Sequence, residues 1–281
     1  MSEKITVYEP DNSIKKGYLN IFREIGSDLK NNRWLTWQLF KRDFIAAYRQ
    51  SFIGILWAFI IPLISVSTFV ILSQSGILNL GSIAVPYPIF AVLGMAFWSL
   101  FSMGLIACSN SLINAGSMIV KINFSKKSLV IASMGQSIVT FIIQFVLVCI
   151  LFAIYGVIPN IAILLVIPLM IPVLLLTLGL GFLLAVLNGI VRDVGNLLSV
   201  LITFLMFLTP ILYNIPESGI LAVFSRYNPI YYLISGAREL ILFGTISEWE
   251  GFLISCLLSV IIFIVSIIIF HLTETRVSER I

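Results

Sequence analysis

The sequence predicts an all-α integral membrane protein with six transmembrane helices, an N-terminal amphipathic interface helix, and re-entrant external helices before the last span. Three observations carry that expectation. Hydrophobic residues make up 59% of the 281 positions and charged residues 11%, with a mean hydropathy of +1.08, far from the balance of a soluble domain. The apolar residues run in uninterrupted blocks instead of alternating with polar ones. Lysine and arginine, except Arg226 and Arg238, are confined to the two terminal segments and to every second connection between those blocks.

Residues 1–28 mix Pro10, Gly17 and scattered charges and read as a cytoplasmic extension without periodicity. Residues 29–51 follow as an interface helix in which Trp34, Trp37, Phe40, Phe44 and Tyr48 recur at spacings of three and four, with Arg33, Gln38, Lys41, Arg42 and Arg49 largely on the other faces. Such a basic helix with an aromatic stripe lies in the membrane surface. It serves equally as an anchor for the first span or as a dock for a cytoplasmic partner.

The remainder, 52–281, is a transmembrane domain. Its spans read as Phe52 to Leu72, Ile89 to Leu112, Ile131 to Tyr155, Ile161 to Leu187, Leu197 to Leu212 and Phe252 to Phe270, since a helix needs about 20 apolar residues to cross the hydrocarbon core. The fifth is short and ends at Pro210. With the N-terminus inside, all of the 17 lysines and arginines except Arg226 and Arg238 fall on the cytoplasmic side, as the positive-inside rule requires. Both termini are therefore expected in the cytoplasm, and the net charge of +4 is a signature of topology, not of nucleic-acid binding. The polar first 50 residues carry no cleavable signal. The cysteines, Cys108, Cys149 and Cys256, lie inside spans without metal-ligand spacing and read as small core hydrophobes. His271, beside Glu274, reads as an interfacial residue.

Two connections are longer than a reversal requires. The cytoplasmic one, from about Asn114 to Ser128, exposes Met118, Ile119, Val120, Ile122 and Phe124 among basic residues, which suggests a short helix offering a surface. In the external segment 213–250, Pro229 to Phe243 is apolar enough to enter the membrane but too short to cross it, and carries Arg238 and Glu239. Irregular backbone at membrane depth survives only in protein or beside water, so re-entrant helices lining an outer mouth fit.

The chain contains no G-x-x-x-x-G-K-[ST] phosphate loop and no acidic or basic relay within its spans. Gln136, Gln144 and Asn110 are its strongest intramembrane polar groups and suit hydrogen bonds between helices. Asp193 stands alone in a cytoplasmic turn, and Glu217, Glu239, Glu248 and Glu250 are dispersed outside, so no metal-binding carboxylate cluster or hydrolytic constellation is legible. A conduit with no energy source of its own must borrow energy from a cytoplasmic partner.

Four motifs in order sharpen this. Arg42-Asp43-Phe44 leads through Arg49, Ser51, Gly54 and Trp57 to Pro62; Arg192-Asp193 forms a turn between spans four and five; Thr209-Pro210-Ile211-Leu212-Tyr213 closes span five; and Asn228-Pro229-Ile230-Tyr231-Tyr232 precedes Arg238. In these features the chain resembles the ABC-2 family of transporter permeases, within it the subgroup exporting O-antigen, capsule or wall teichoic acid glycans. Phe124-Ser125-Lys126-Lys127 departs from the family's pattern by lacking a proline.

The resemblance implies a permease subunit in the bacterial inner membrane, not an enzyme: two copies of this chain above two copies of a separate ABC ATPase that binds ATP and Mg, with no cofactor in the chain itself. It further implies coupling to the ATPase through Met118, Lys121, Ile122, Asn123 and Phe124, with Trp34, Trp37, Arg42 and Asp43 as a second contact. Aromatic rings suit a sugar path, because a sugar's C–H faces can slide over them. Tyr87, Phe90, Phe97, Trp98, Phe101, Tyr213, Tyr227, Tyr231 and Tyr232 are the candidates, against a reading of the same residues as an interfacial belt. A drug or peptide exporter on the same scaffold, a membrane enzyme of glycan or lipid synthesis, and an uncoupled channel subunit are the rival readings.

Overall fold

The computed structural model describes residues 18–49, 54–75, 85–116, 118, 124–213, 215 and 219–278. They are helical, without strands among them: α1 (Tyr18–Asn31), α2 (Arg33–Arg49), α3 (Trp57–Gln74), α4 (Tyr87–Asn114), α5 (Lys127–Tyr155), α6 (Val166–Ile190), α7 (Asp193–Leu208), α8 (Ile220–Tyr227), α9 (Pro229–Phe243) and α10 (Trp249–Ser278). Short 3₁₀ turns, Gly54–Leu56 and Ile161–Leu165, lead into α3 and α6.

The helix ends follow local chemistry. Pro86 and Pro88 flank the start of α4, where a missing N–H costs nothing. Gly156, in the left-handed region at φ 65°, closes α5 and returns its N–H to Phe152 and Ala153 carbonyls. Asn160 accepts from the Ala162 N–H at 2.9 Å and opens the turn before α6. Asp193 occupies the first turn of α7, where a negative charge complements the helix dipole, and Pro210 stops that helix after Leu208.

Among the described residues four helices are long and apolar enough to cross a membrane: Tyr87–Asn114, Lys127–Tyr155, Ile161–Ile190 and Trp249–Glu274. The chain is thus a multi-pass, all-α membrane protein. The first and fifth of the six expected spans are shorter. The first corresponds to α3, whose apolar stretch among the described residues is Phe59–Thr68, and the fifth to Asp193–Leu208. At 1.5 Å per residue the 16 residues of α7 extend about 24 Å, less than a hydrocarbon core of about 30 Å. The predicted end at Leu212 is corrected to Leu208, because Pro210 cannot continue the helix and Pro210–Leu212 form an irregular bend.

α4 is the central helix: 89% of its apolar window is buried, against 28% for α10, which faces outward. α4 packs mainly against α5 and α6, and α6 in turn against α10. Small residues permit the approach, as in other membrane bundles. A Cβ on Gly181 would sit 2.6 Å from Cys108 Cβ, and one on Gly179 would sit 2.9 Å from Phe263 Cα. Polar groups then bridge the helices: Ser99 Oγ donates to Gln144 Oε1 at 2.8 Å between α4 and α5. Asn188 Nδ2 donates to the Ser109 carbonyl and to Asn110 Oδ1, while Asn188 Oδ1 accepts the Gly195 N–H at 2.9 Å. These agree with the interhelical roles expected of Gln144 and Asn110; Asn188, at the centre of the second cluster, went unnoticed in the sequence.

The N-terminal region differs from expectation. Residues 18–28 of the expected aperiodic extension and 29–31 of the expected interface helix together form α1, with Ile21 4% and Ile25 6% exposed against the bundle. In α2 the aromatic stripe is split: Leu39 is buried and Phe40 packs on Gly135 of α5, whereas Trp34 (70% exposed) and Trp37 (58%) point away. The helix turns its Leu39–Phe40 edge to α5, and the half-buried Phe44 packs on Phe40 with ring centroids 5.8 Å apart. The Tyr48 side chain lies outside the described residues.

Candidate functional site

The bundle has two polar ends, separated by the 28 residues of α4, about 40 Å at helical rise. At the α1 end, Lys127 opens α5 with its side chain 1% exposed and its Nζ 3.1 Å from Asp28 Oδ2 of α1. The same Nζ pairs with Glu274 Oε2 of α10, and Glu274 Oε1 accepts the Lys126 backbone N–H. His271, read as an interfacial residue, instead lies within this cluster, its Nε2 3.5 Å from Glu24 Oε2 of α1. The arrangement joins three helices that are remote in sequence. Spacing alone gave Lys127 no distinction from its basic neighbours.

Beside it stand the expected partner contacts. Arg42 Nη1 lies 3.7 Å from Met118 Sδ, so α2 and the connection after α4 meet, while Arg42 and Asp43 form an exposed pair at 2.8 Å of small energetic weight. Phe124 and Met118 rest partly buried on the core. Lys121, Ile122 and Asn123 lie outside the described residues, as does Ser51. Gly54 takes a φ of 56°, Trp57 is 43% exposed on α3, and Pro62 is buried within that helix.

At the opposite end, Arg238 of α9 is 4% exposed. Its Nη1 donates to the Ile211 carbonyl at 2.7 Å, and its guanidinium stacks 3.7 Å from the Phe90 ring centroid. Burial lowers its pKa to about 10, so it stays cationic at neutral pH. Tyr87 Oη donates to the Leu212 carbonyl at 3.0 Å. Together Arg238 and Tyr87 satisfy the two carbonyls that follow Pro210, where the helical ladder has stopped. Asn228 Oδ1 caps α9 by accepting the Ile230 N–H at 3.1 Å, and its Nδ2 donates to Thr209 Oγ1 at 2.8 Å. The Thr209-Pro210, Asn228-Pro229 and Arg238 motifs therefore form one joint between α7 and α9; Arg192, exposed in the turn before α7, is far from it along that helix.

Asn228→Ala removes both the cap and the Thr209 bond. A destabilisation of about 1–2 kcal/mol is expected, read as a lowered melting temperature in detergent. Asn228→Asp keeps the cap acceptor but not the Nδ2 donor and should fall in between; equal melting of all three proteins would show that the joint contributes nothing.

The aromatic candidates divide by burial. Phe97, Trp98 and Phe101 are at most 4% exposed and Phe90 6%. Phe97 meets Phe141 edge-on at 5.0 Å, and Trp98 packs on Phe101 at 5.6 Å, so these rings fill the core of the protomer. Tyr227 is 84% exposed. Tyr213 and Tyr232 are only partly covered, and their hydroxyls donate to the Phe207 and Arg226 carbonyls at 2.6 and 3.0 Å. Tyr231 and Phe90 share a cavity of about 160 Å³ with Arg238 and Glu239.

A family model described as ABC-2 type transporter matches residues 35–242, a range that includes both the Arg42–Met118 contact and the Arg238 joint. The chain is also similar to the O-antigen export system permease protein RfbA of Myxococcus xanthus, with 24% identity over 261 residues, 90% of this chain and 98% of that protein.

Proposed function

Because this chain belongs to the ABC-2 type transporter family, we propose that it is the transmembrane permease subunit of an ATP-driven exporter that moves a polysaccharide or lipid-linked glycan across the bacterial cytoplasmic membrane. The observation that carries the cargo is the end-to-end similarity to an O-antigen export permease. The subunit works as a homodimer above two copies of a cytoplasmic ABC ATPase, which holds the ATP and Mg; no cofactor resides in the permease. O-antigen, capsule and teichoic acid chains are the cargo classes, and the carrier is a lipid-linked form of the same glycan.

In this reading both termini are cytoplasmic and six spans cross the membrane, with α3 and α7 as the short first and fifth. α8 and α9 are the re-entrant pair at the outer mouth. Met118 to Phe124 enters the ATPase, with Trp34, Trp37, Arg42 and Asp43 of α2 beside it; the 3.7 Å approach of Arg42 to Met118 supports one continuous docking surface. Among the aromatic candidates, the exposed and half-exposed Tyr213, Tyr227 and Tyr232 are those free to offer a ring to passing sugar, while Tyr87, Phe90, Phe97, Trp98 and Phe101 hold the wall behind them.

Affinity purification of the tagged chain in mild detergent should bring down a stoichiometric ATPase, and cells lacking the chain should accumulate lipid-linked glycan inside. Exchanging Ile122 and Phe124 for aspartate should remove the bound ATPase activity at least about tenfold, as loss of central apolar anchors does at other interfaces. A lone chain with no ATPase, in cells that accumulate no glycan, would sink the proposal.

A further inference from the structure

The buried ammonium of Lys127 stands where both expected docking elements leave the bundle. Its three hydrogens have three acceptors, each from a different segment: Asp28 Oδ2 of α1 at 3.1 Å, Glu274 Oε2 of α10, and Ser125 Oγ at 3.4 Å in the connection that leads into α5. Ser125 directly follows Phe124, so the ammonium grips the end of the loop assigned to the ATPase. Glu274 grips it a second time through the Lys126 backbone N–H. Asp28 reaches the other docking element, α2. Its carbonyl accepts the Asn32 backbone N–H at 3.0 Å and Asn32 Nδ2 at 2.8 Å, and the Asn32 carbonyl accepts the Thr36 N–H at 2.9 Å and the Thr36 hydroxyl at 3.0 Å in the first turn of α2. One residue therefore holds α2 by its main chain and Lys127 by its side chain.

We propose that Lys127, Asp28 and Glu274 are positioning residues for energy coupling: they hold α2 and the loop end at Phe124 to α5 and α10, so that movement of the ATPase displaces these helices instead of bending the connections. This rests on the ATP-driven reading above and names where that energy enters the bundle. Direction is what the polar contacts add. Helix shifts at moving interfaces are about 1–2 Å, and a bond of 3.1 Å stretched by that much is lost, so the triad resists a slip of α1 past α5. Apolar side chains in the same place would keep the helices together without fixing their register, because hydrophobic attraction has no direction. Burial strengthens the grip. With Lys127 1% exposed, little water stands by to replace a broken bond, and the surrounding low dielectric raises the cost of breaking one.

Two variants separate this role from simple stability. The combined exchange Lys127→Met, Asp28→Leu and Glu274→Met keeps the helices together but removes the directed bonds, whereas Lys127→Arg keeps charged donors facing both carboxylates. The readout is export per ATP hydrolysed: surface polysaccharide, labelled on intact cells with periodate and a fluorescent hydrazide, divided by the ATPase rate of the full complex purified from the same cells. The triple variant should bring down wild-type amounts of ATPase, melt near the wild type and export about tenfold less per ATP, within the range of coupling between distant sites. Lys127→Arg should keep most of the wild-type ratio. A triple variant with the wild-type ratio overturns the role. So does a loss of export matched by equal losses of ATPase and melting temperature, which is what a merely structural cluster gives, and so does equal uncoupling in Lys127→Arg. A wild-type chain that brings down no ATPase sinks the reading above and this inference with it; a wild type that hydrolyses and exports beside an unaffected triple variant loses this inference alone.

Discussion

Lys127→Met lowers the stability of the protein by about 3–5 kcal/mol, the range for removing one partner of a buried ion pair. Lys127 is 1% exposed, and Asp28 and Glu274 are 15% and 10% exposed. Without the ammonium, Glu274 keeps the Lys126 N–H, but Asp28 stays at the helix junction opposite no cation. Thermal melting followed by tryptophan fluorescence should show the loss. Proteolysis should then cut first near α1, which this lysine ties to α5 and α10 beside the Glu24–His271 contact. The control is the variant with Lys127→Met, Asp28→Leu and Glu274→Met together, which restores most of the melting temperature, since a buried triad replaced by apolar groups of similar volume is often neutral. If Lys127→Met melts with the wild type, the cluster is solvated and the account is wrong.

Gly179→Val is expected to be the second large loss. Overpacking a filled core costs about 1–3 kcal/mol, occasionally more, and here the obstacle is main chain. The new Cβ would meet Phe263 Cα and N, both at 2.9 Å, atoms that cannot rotate aside, so α6 and α10 must separate along their length. Gly104→Ala makes the comparison informative. Its Cβ would come 2.5 Å from Met134 Sδ, closer still, but a thioether side chain swings away at little expense, and alanine improves helix propensity by up to about 1 kcal/mol. A melting temperature far lower for Gly179→Val than for Gly104→Ala is the expected order; the reverse order would mean that the α6–α10 seam is loose.

The class and most helix boundaries were legible because they depend on local chemistry. Uninterrupted apolar blocks can only be spans, and Pro210, Gly156 and the Asn228-Pro229 pair act where they stand. Which face of a span meets lipid was not legible, because a helix apolar all round carries no periodic mark; hence Phe97, Trp98 and Phe101 could be named only as candidates for a sugar path, and their burial in the protomer came from the structure. α1 was missed for a different reason. Ile21, Ile25 and Leu29 recur every four residues, which was signal enough, but its charged neighbours Glu24 and Asp28 look like solvated residues until Lys127 and His271 are brought to them from elsewhere in the chain. Lys127 itself was counted toward the positive-inside excess, and a charge census does not register burial. At the other end, Arg238 was marked by its motif, whereas its contacts with the Ile211 carbonyl and the Phe90 ring needed the third dimension.

The cluster at Lys127 also bears on how the protein is made. Its carboxylates lie 99 and 147 residues from the lysine, on opposite sides of it, so Asp28 leaves the ribosome early and Glu274 only after every preceding span has been delivered. The clasp cannot close during synthesis. A chain interrupted before Glu274 has only one of the two carboxylates that face Lys127. The three-helix junction is thus complete only in a chain inserted from α1 through α10.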